Sequence, residues 1–226
     1  MADTRGWLTE EQMIEVDRVM IDDLGIELIQ MMENAGRNLA QLAIDRYAPK
    51  RVVVCAGSGG NGGGGMVAAR HLANRGVAVE LVTTRPIEEL RGVPAHQRRI
   101  LGEIGLPVIE RWTEADLILD AVIGYSLRGA PTGRSLGLIE VMNADPAPVL
   151  SLDTPSGLDV TTGDAPGAVV QADATLTLAA PKIGLTDSDE VGDLFVADIS
   201  VPPFVLTELG ADAPDFSASP IVSISS

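Results

Sequence analysis

Val52-Val53-Val54-Cys55-Ala56-Gly57-Ser58-Gly59-Gly60-Asn61-Gly62-Gly63-Gly64-Gly65 is a β-branched apolar run that breaks abruptly into seven glycines, one Asn and one Ser. The residues that follow, Met66-Val67-Ala68-Ala69-Arg70-His71-Leu72-Ala73-Asn74-Arg75-Gly76, read as a helix closed by Gly76. Strand, glycine loop, helix is a layout that brings backbone close to a phosphate. Residues without Cβ reach positive φ and let a ligand approach. The helix N-terminus then offers free N–H groups and about half a positive charge. The stretch therefore predicts a nucleotide or other phosphorylated ligand at residues 57–65.

On either side of it the pattern is orderly. Thr9-Glu10-Glu11-Gln12 has capping-box spacing. Met13, Val16, Met20 and Leu24 follow at helical intervals, and a second helical stretch carries Leu28, Met31, Met32, Ala35, Leu39, Leu42 and Ile44. These Met-rich faces read as core or subunit contacts. From Arg51 onward strands and helices alternate. Strands are expected at Val52–Ala56, Val77–Thr83, Val108–Ile109, Leu117–Ile123, Val149–Asp153, Ala174–Ala179 and Leu194–Asp198, and helices at Met66–Arg75, Ala95–Ile104 and Leu136–Asn143. Apolar runs alternating with helices indicate an α/β domain with a mainly parallel central sheet covered on both faces. One domain is expected over residues 1–209. The small, polar end, residues 210–226, reads as a flexible tail.

Composition narrows the function. The chain has 226 residues, 46% of them hydrophobic, which suits one globular domain. Its formal net charge is −16, which repels phosphate backbones and argues against nucleic-acid binding. Lysine occurs only as Lys50 and Lys182. Strong acidity with little lysine suits a high-salt cytoplasm, an expectation that a flat dependence of melting temperature on KCl would remove. No apolar run is long enough to cross a membrane. Met1-Ala2-Asp3-Thr4-Arg5 runs into an acidic helix, not an apolar signal, so a cytoplasmic location is expected. The single cysteine, Cys55, forms no internal disulfide and reads as a small buried hydrophobe.

In open α/β sheets ligands bind beyond the carboxyl ends of the strands. Three ends stand out: Cys55 before the glycines, Asp120 before Ala121-Val122-Ile123-Gly124-Tyr125, and Asp153 before Thr154-Pro155-Ser156-Gly157. A parallel sheet would gather Asn61, Asp120, Asp153 and Ser156 at one rim. Each has a plainer reading. Asp120 is equally a carboxylate held by loop N–H groups, Asp153 an Asx-turn residue and Ser156 an ordinary turn residue. Together they supply the hard oxygen ligands that suit an alkali or alkaline-earth cation. Gly57-x-Gly59-x-x-Gly62 fits the dinucleotide fingerprint, which is weak on its own. Glu80, the nearest acidic candidate for a ribose, lies inside a strand, whereas Thr83-Thr84-Arg85 at its tip would fit an NADP phosphate better. No Lys-Ser or Lys-Thr follows the glycines, so a Walker loop is excluded. His71 and His96 read as packing or surface residues.

Several of these stretches, in this order, resemble the YjeF N-terminal domain family, the NAD(P)H-hydrate epimerases. Met31-Met32-Glu33-Asn34-Ala35-Gly36 is similar to the family's early helix. Gly59–Gly65 with Met66-Val67-Ala68-Ala69-Arg70 is similar to its Asn-Asn-Gly-Gly-Asp-Gly loop and helix. Asp120-Ala121-Val122-Ile123-Gly124, Asp153-Thr154-Pro155-Ser156-Gly157-Leu158-Asp159, Ala172-Asp173-Ala174-Thr175-Leu176-Thr177 and Pro181-Lys182-Ile183-Gly184-Leu185 carry the rest. The resemblance runs from about Thr9 to Val201 and implies a Rossmann-like three-layer αβα sandwich and a homodimer. It implies conversion of the R epimer of hydrated NADH or NADPH into the S epimer, which a separate dehydratase partner repairs. Carried over by position, Asn61, Asp120 and Ser156 would hold a potassium ion. Gly60, Asn61, Gly62, Gly63, Gly64, Gly124, Tyr125, Ser126, Leu127, Arg128, Gly129, Ala130 and Asp153 would line the substrate. Asp153 would be catalytic, stabilising a cationic intermediate and shuttling a proton, and Asp153→Asn is expected to stop the reaction while leaving the fold intact. The chain departs from the family at Gly60, where the loop has Asn, and at Gly64, where it has Asp. Those departures keep open a noncatalytic nucleotide-binding or scaffold module of the same fold. An ordinary NAD(P) dehydrogenase would need a catalytic acid and a substrate domain that the sequence does not show.

Overall fold

The computed structural model describes residues 6–186 and 188–224; the acidic-start reading of residues 1–5 and the last two residues of the expected tail lie outside them. Thr9 opens α1 (Glu10–Arg18) with the expected reciprocal cap: its hydroxyl accepts from the Gln12 N–H, and the Gln12 side chain accepts from the Thr9 N–H. The helix continues through one π-helical turn at Val19–Asp23, and α2 spans Leu28–Tyr47. Leu24, expected on the buried stripe, is 40% exposed, because the π-turn rotates it off the apolar face.

Among the described residues seven strands form one sheet: β1 (Arg51–Ala56), β2 (Ala78–Thr83), β3 (Leu117–Ala121), β4 (Val149–Leu152), β5 (Ala174–Leu178), β6 (Asp193–Ala197) and β7 (Ile221–Ser223). Their order is β2-β1-β3-β4-β5-β6-β7, parallel throughout except for β7. The winding reverses between β1 and β3, the position where open α/β sheets leave a crevice. Alternation along β1 splits the core. Val52, Val54 and Ala56 face the larger cluster with α1 and α2, while Val53 and Cys55 face the smaller one. The first layer also holds α3 (Gly60–Ala73), α4 (Gly92–Glu103) and the short α6 (Pro203–Glu208); α5 (Gly133–Ala144) packs on the other face through Leu138, Ile139 and Met142. The three-layer αβα sandwich is therefore present. No helix among the described residues is long and apolar enough to cross a membrane.

Three local expectations change. The glycine stretch is mostly helix, since α3 begins at Gly60, six residues before Met66. Glycine in a helix interior costs about 1 kcal/mol relative to Ala; close packing offsets it here. A β-carbon on Gly36 would lie 2.3 Å from the Gly64 carbonyl oxygen, and one on Gly62 only 1.9 Å from that of Gly57. Residues 108–109 make a single bridge to Leu81 and no strand, because Pro107 removes one donor. Residues 210–224 are not a loose tail. Asp212 donates its N–H to the Gly6 carbonyl, Ala211 is buried, and β7 pairs antiparallel with β6 as the sheet's edge.

Candidate active site

The carboxyl ends of β1, β3 and β4 surround a cavity of about 360 Å³. The start of α3 forms one wall with Ser58, Gly59, Gly60 and Asn61, and the segment after β3 forms another with Val122–Ser126. Gly59 caps α3 without a side-chain hydrogen bond, so the first N–H groups of this helix are open to a ligand. Asp153 closes the floor, and Met13, Asp17, Leu28 and Met32 come from α1 and α2. The Met-rich faces thus serve the cavity as well as the core.

Asp153 sits where the backbone is bent hard. Its φ is +70°, and Thr154 donates to the Leu152 carbonyl across it, forming a γ-turn that ends β4. The neighbouring strand ends the same way at Ala179, with φ +65° and a hydrogen bond from Ala180 to Leu178. Such a conformation costs about 1–3 kcal/mol for a residue with a side chain. The cost is met by what the turn aims. Asp153 Oδ1 accepts from Lys182 Nζ at 2.6 Å, and Oδ2 accepts from the Tyr125 N–H at 2.8 Å. Lys182 is fully buried and spends its other two protons on Thr177 Oγ1 (2.9 Å) and the Leu178 carbonyl (2.7 Å). Leu8 holds the lysine's backbone in place, donating to the Pro181 carbonyl and accepting from the Ile183 N–H.

Asp120 lies behind this wall. It pairs in register with Ser151, and all four of its lone-pair positions are taken. Oδ1 accepts from Ser156 Oγ (2.6 Å) and the Val122 N–H (3.2 Å); Oδ2 accepts from Ser151 Oγ (2.9 Å) and the Ser156 N–H (2.8 Å). Burial raises its pKa, while the Ser156 hydroxyl and N–H pull it down. Ser156 Oγ also accepts from the Ile123 N–H at 2.8 Å. The pair therefore pins the β3 exit to the Pro155-Ser156 turn. Asn61, Asp120, Asp153 and Ser156 do gather around residues 122–124: a β-carbon on Gly124 would lie 3.0 Å from Asp153 Oδ2 and 3.3 Å from Asn61 Cγ. Only Asn61 and Asp153 open onto the cavity.

Of the other positions expected to line it, Gly60, Gly124, Tyr125 and Ser126 do. Gly62, Gly63 and Gly64 do not. They are buried in α3, and a β-carbon on Gly64 would meet Leu152 Cδ2 at 2.8 Å. Leu127, Arg128, Gly129 and Ala130 turn away from it: Arg128 is surface-exposed and paired with Glu10, and Ala130 packs on Gly167. Two residues were missed by the sequence reading. Lys182 is one of only two lysines and follows a strand, in a chain that otherwise avoids lysine. Asp17 is one turn beyond buried Met13, on the inward face of α1. It accepts from the Tyr125 hydroxyl at 2.5 Å. Both carry a signal, but an indirect one.

Residues 28–184 match the family model for the YjeF-related protein N-terminus. The chain is 46% identical over 211 residues to an NAD(P)H-hydrate epimerase of Dehalogenimonas lykanthroporepellens, covering 90% of this chain and 85% of that protein. It is 40% identical over 195 residues to one from Truepera radiovictrix, covering 83% and 87%. A bifunctional NAD(P)H-hydrate repair enzyme of Hyperthermus butylicus is 42% identical over 204 residues; the match covers 83% of this chain but 38% of that longer protein. In fold, the crystal structure of yeast ynu0 superposes with a TM-score of 0.87 at 23% identity, over 96% of this chain and 99% of that one. The chain belongs to the YjeF N-terminal family.

Proposed function

We propose that this protein is an NAD(P)H-hydrate epimerase, an isomerase interconverting the R and S epimers of hydrated NADH and NADPH. One observation carries the reading: the Asp153 carboxyl group, bonded to buried Lys182 at 2.6 Å, lies at the floor of a cavity whose rim is an uncapped helix N-terminus. The N-terminus of α3 suits the nucleotide's phosphates, since its N–H groups and dipole favour negative charge. The floor suits the ring. Inversion at the hydroxyl-bearing carbon proceeds through loss of water, driven by the ring nitrogen, and re-addition from the other face. The intermediate is cationic. Asp153 lies where it stabilises that charge and accepts the proton of the incoming water, an effect of about 10²–10⁴ in rate. Lys182 and the Tyr125 N–H, one on each oxygen, fix its orientation. The apolar walls from Met13, Leu28 and Met32 exclude bulk water.

The reading includes a potassium ion at Asn61, Asp120 and Ser156. The fit rests on Asn61, whose two polar side-chain atoms are buried without a partner; Asp120 and Ser156 carry the right hard oxygens but would have to give up one of the hydrogen bonds that now saturate them to reach the ion. No cluster of three His, Cys, Asp or Glu side chains suited to a transition metal occurs among the described residues. When bound, the ion would supply positive charge beside the nucleotide. A homodimer, a cytoplasmic place alongside its soluble substrate and a separate dehydratase belong to the same proposal; the last is supported by the longer bifunctional relative. The two departures that favour the noncatalytic alternative differ in setting: Gly64 is buried in α3 against Leu152, whereas Gly60 lines the cavity, so the alternative now rests on Gly60.

The test is to mix purified protein with R-hydrated NADPH and follow its conversion to the S epimer by chromatography, in potassium and in sodium. Conversion above the spontaneous rate, faster in potassium, is expected. Nucleotide binding without any acceleration would reject the enzyme reading in favour of a scaffold.

A further inference from the structure

An epimerisation by loss and re-addition of water has a requirement that Asp153 alone does not meet. The hydroxyl departs from one face of the ring and water returns to the other. Each face needs a group to give or take a proton. Asp153 has Lys182 on one oxygen and the Tyr125 N–H on the other. The remaining ionisable side chains lining the cavity, among the described residues, are Asp17 and Tyr125. They touch each other: Tyr125 gives its hydroxyl to Asp17 and its N–H to Asp153, so one residue ties two carboxyl groups to a single cavity.

Resting on the epimerase reading above, we propose that Asp17 is a second catalytic residue of this site, serving the face of the ring opposite to that served by Asp153. Its position is built. The Thr9 cap, the Gln12 amide donating to the Leu209 carbonyl at 2.8 Å, and buried Met13, Val16 and Met20 lock α1 against the core. Its chemistry differs from that of Asp153. Among the described residues no lysine or arginine bonds to Asp17; its partner is a neutral phenol. Burial raises its pKa, with a further rise from the charge on Asp153; the Tyr125 hydrogen bond and more distant Lys182 oppose this. The Tyr125 phenol is pushed up as well, by burial and by the Asp17 charge, so it stays protonated. Of the two carboxyl groups, Asp17 is the one with no cation on it and with surroundings that favour its protonated form, which suits it to the proton-giving role.

The step balances. Asp17 protonates the departing hydroxyl, the carbon–oxygen bond breaks, and the ring-nitrogen lone pair becomes the second bond of the C=N⁺ intermediate. Water then forms a new carbon–oxygen bond from the other face, the C=N pair returns to nitrogen, and Asp153 takes the proton. One water leaves, one enters, and one proton passes from Asp17 to Asp153. The reverse turnover, or exchange with solvent, returns it.

The experiment uses the full chain, each pure epimer of hydrated NADPH in separate reactions, and ¹⁸O-labelled water. It reads inversion and label uptake together, each above the spontaneous background. Wild type should invert and label both epimers. Asp17→Asn should lose inversion by about 100-fold or more, yet keep label uptake, with retained configuration, from one epimer only. Asp153→Asn should keep uptake from the opposite epimer. That reciprocal pattern is not produced by a structural role. Wild-type inversion in Asp17→Asn overturns the inference alone, as does loss of uptake from the same epimer in both variants. Asp17→Ser serves as the second variant, and loss of NADPH binding in both Asp17 variants would mark a structural role and overturn it too. A wild type that binds NADPH but accelerates neither epimer overturns the epimerase reading, and this inference with it.

Discussion

Asp120 and Asp153 end neighbouring parallel strands and are almost equally hidden, at 0% and 2% exposure. They do different work because they meet different partners. Asp120 accepts four hydrogen bonds, all from Ser151, Val122 and Ser156, and has no lone pair left for chemistry. Asp153 accepts two, one from an ammonium, and its turn carries it to the cavity. Saturation by neutral donors makes a strut. Pairing with a buried cation, beside open space, makes a reactive group. The same residue type at the same rim thus divides into holding and reacting by donor count and by the sign of the nearest charge.

The sharpest way to break this contrast is at the reacting end. Asp153→Asn should lower the epimerisation rate by about 10²–10⁴, measured as the approach to equilibrium from pure R-hydrated NADPH. The structure also corrects the expectation that this variant leaves the fold untouched. It removes the countercharge of a lysine with no access to water, so its melting temperature should fall and rates must be read well below it. Lys182→Met tests the same pair from the other side. Removing one partner of a buried ion pair costs about 3–5 kcal/mol, read from the urea midpoint. The double variant Asp153→Asn/Lys182→Met should be less destabilised than the two single losses added together, since no buried charge then lacks a partner. Strict additivity would show that the two side chains are not coupled.

At the holding end the effect is smaller and falls on stability first. Ser156→Ala removes a donor from Asp120 and the acceptor of the Ile123 N–H. Leaving such groups unsatisfied costs about 1–3 kcal/mol, again by urea. Asp17 adds a pH dependence. Its folded-state pKa lies above the ordinary aspartate value of about 3.9, so its ionised form is disfavoured in the fold. Wild type therefore loses stability relative to Asp17→Asn as pH rises from that value through the raised one, and the gap closes at lower pH. Tyr125, Asp153 and Lys182 all act on Asp17 and shape this curve. A melting-temperature difference that is constant from pH 3 to 8 would show that burial does not perturb this carboxyl.

How much of this was legible follows from what local pattern encodes. The strands, the parallel sheet and the rim residues Asn61, Asp120, Asp153 and Ser156 could be read, because β-branched runs and the turn chemistry of Pro155-Ser156-Gly157 act over a few residues. Lys182 and Asp17 could not. Lys182 is 29 positions from Asp153, and Asp17 sits on α1 and meets Asp153 only through Tyr125; nothing short-range says that a lysine after β5 points inward. The glycines misled for a related reason. Their number suggested an open loop, whereas five are needed for close packing: Gly64 and Gly65 against α2 and the sheet, Gly63 against α4, Gly62 against Gly57, and Gly57 against Val122. Composition shows that Cβ atoms are excluded; only packing shows whether a ligand or a neighbouring helix excludes them.

The smallest effect separates those two kinds of glycine. Gly60 and Gly64 are both departures from the family's loop, but their surroundings are opposite. A β-carbon on Gly64 would press on Leu152 at 2.8 Å, so no side chain fits there until Leu152 moves. One on Gly60 would be 3.7 Å from Leu28, an ordinary contact, at the first residue of α3 and at the cavity rim. Gly60→Asn should therefore change stability by no more than about 0.5 kcal/mol, the usual range for a surface change that disturbs no buried feature. Its readout is nucleotide affinity. If the rim amide contributes one hydrogen bond to the bound nucleotide, NADPH should bind tighter by about 0.5–1.5 kcal/mol, with the epimerisation rate at saturation unchanged. A large stability loss instead would mean that position 60 is as tightly packed as position 64, and that the glycine run has no part facing the ligand.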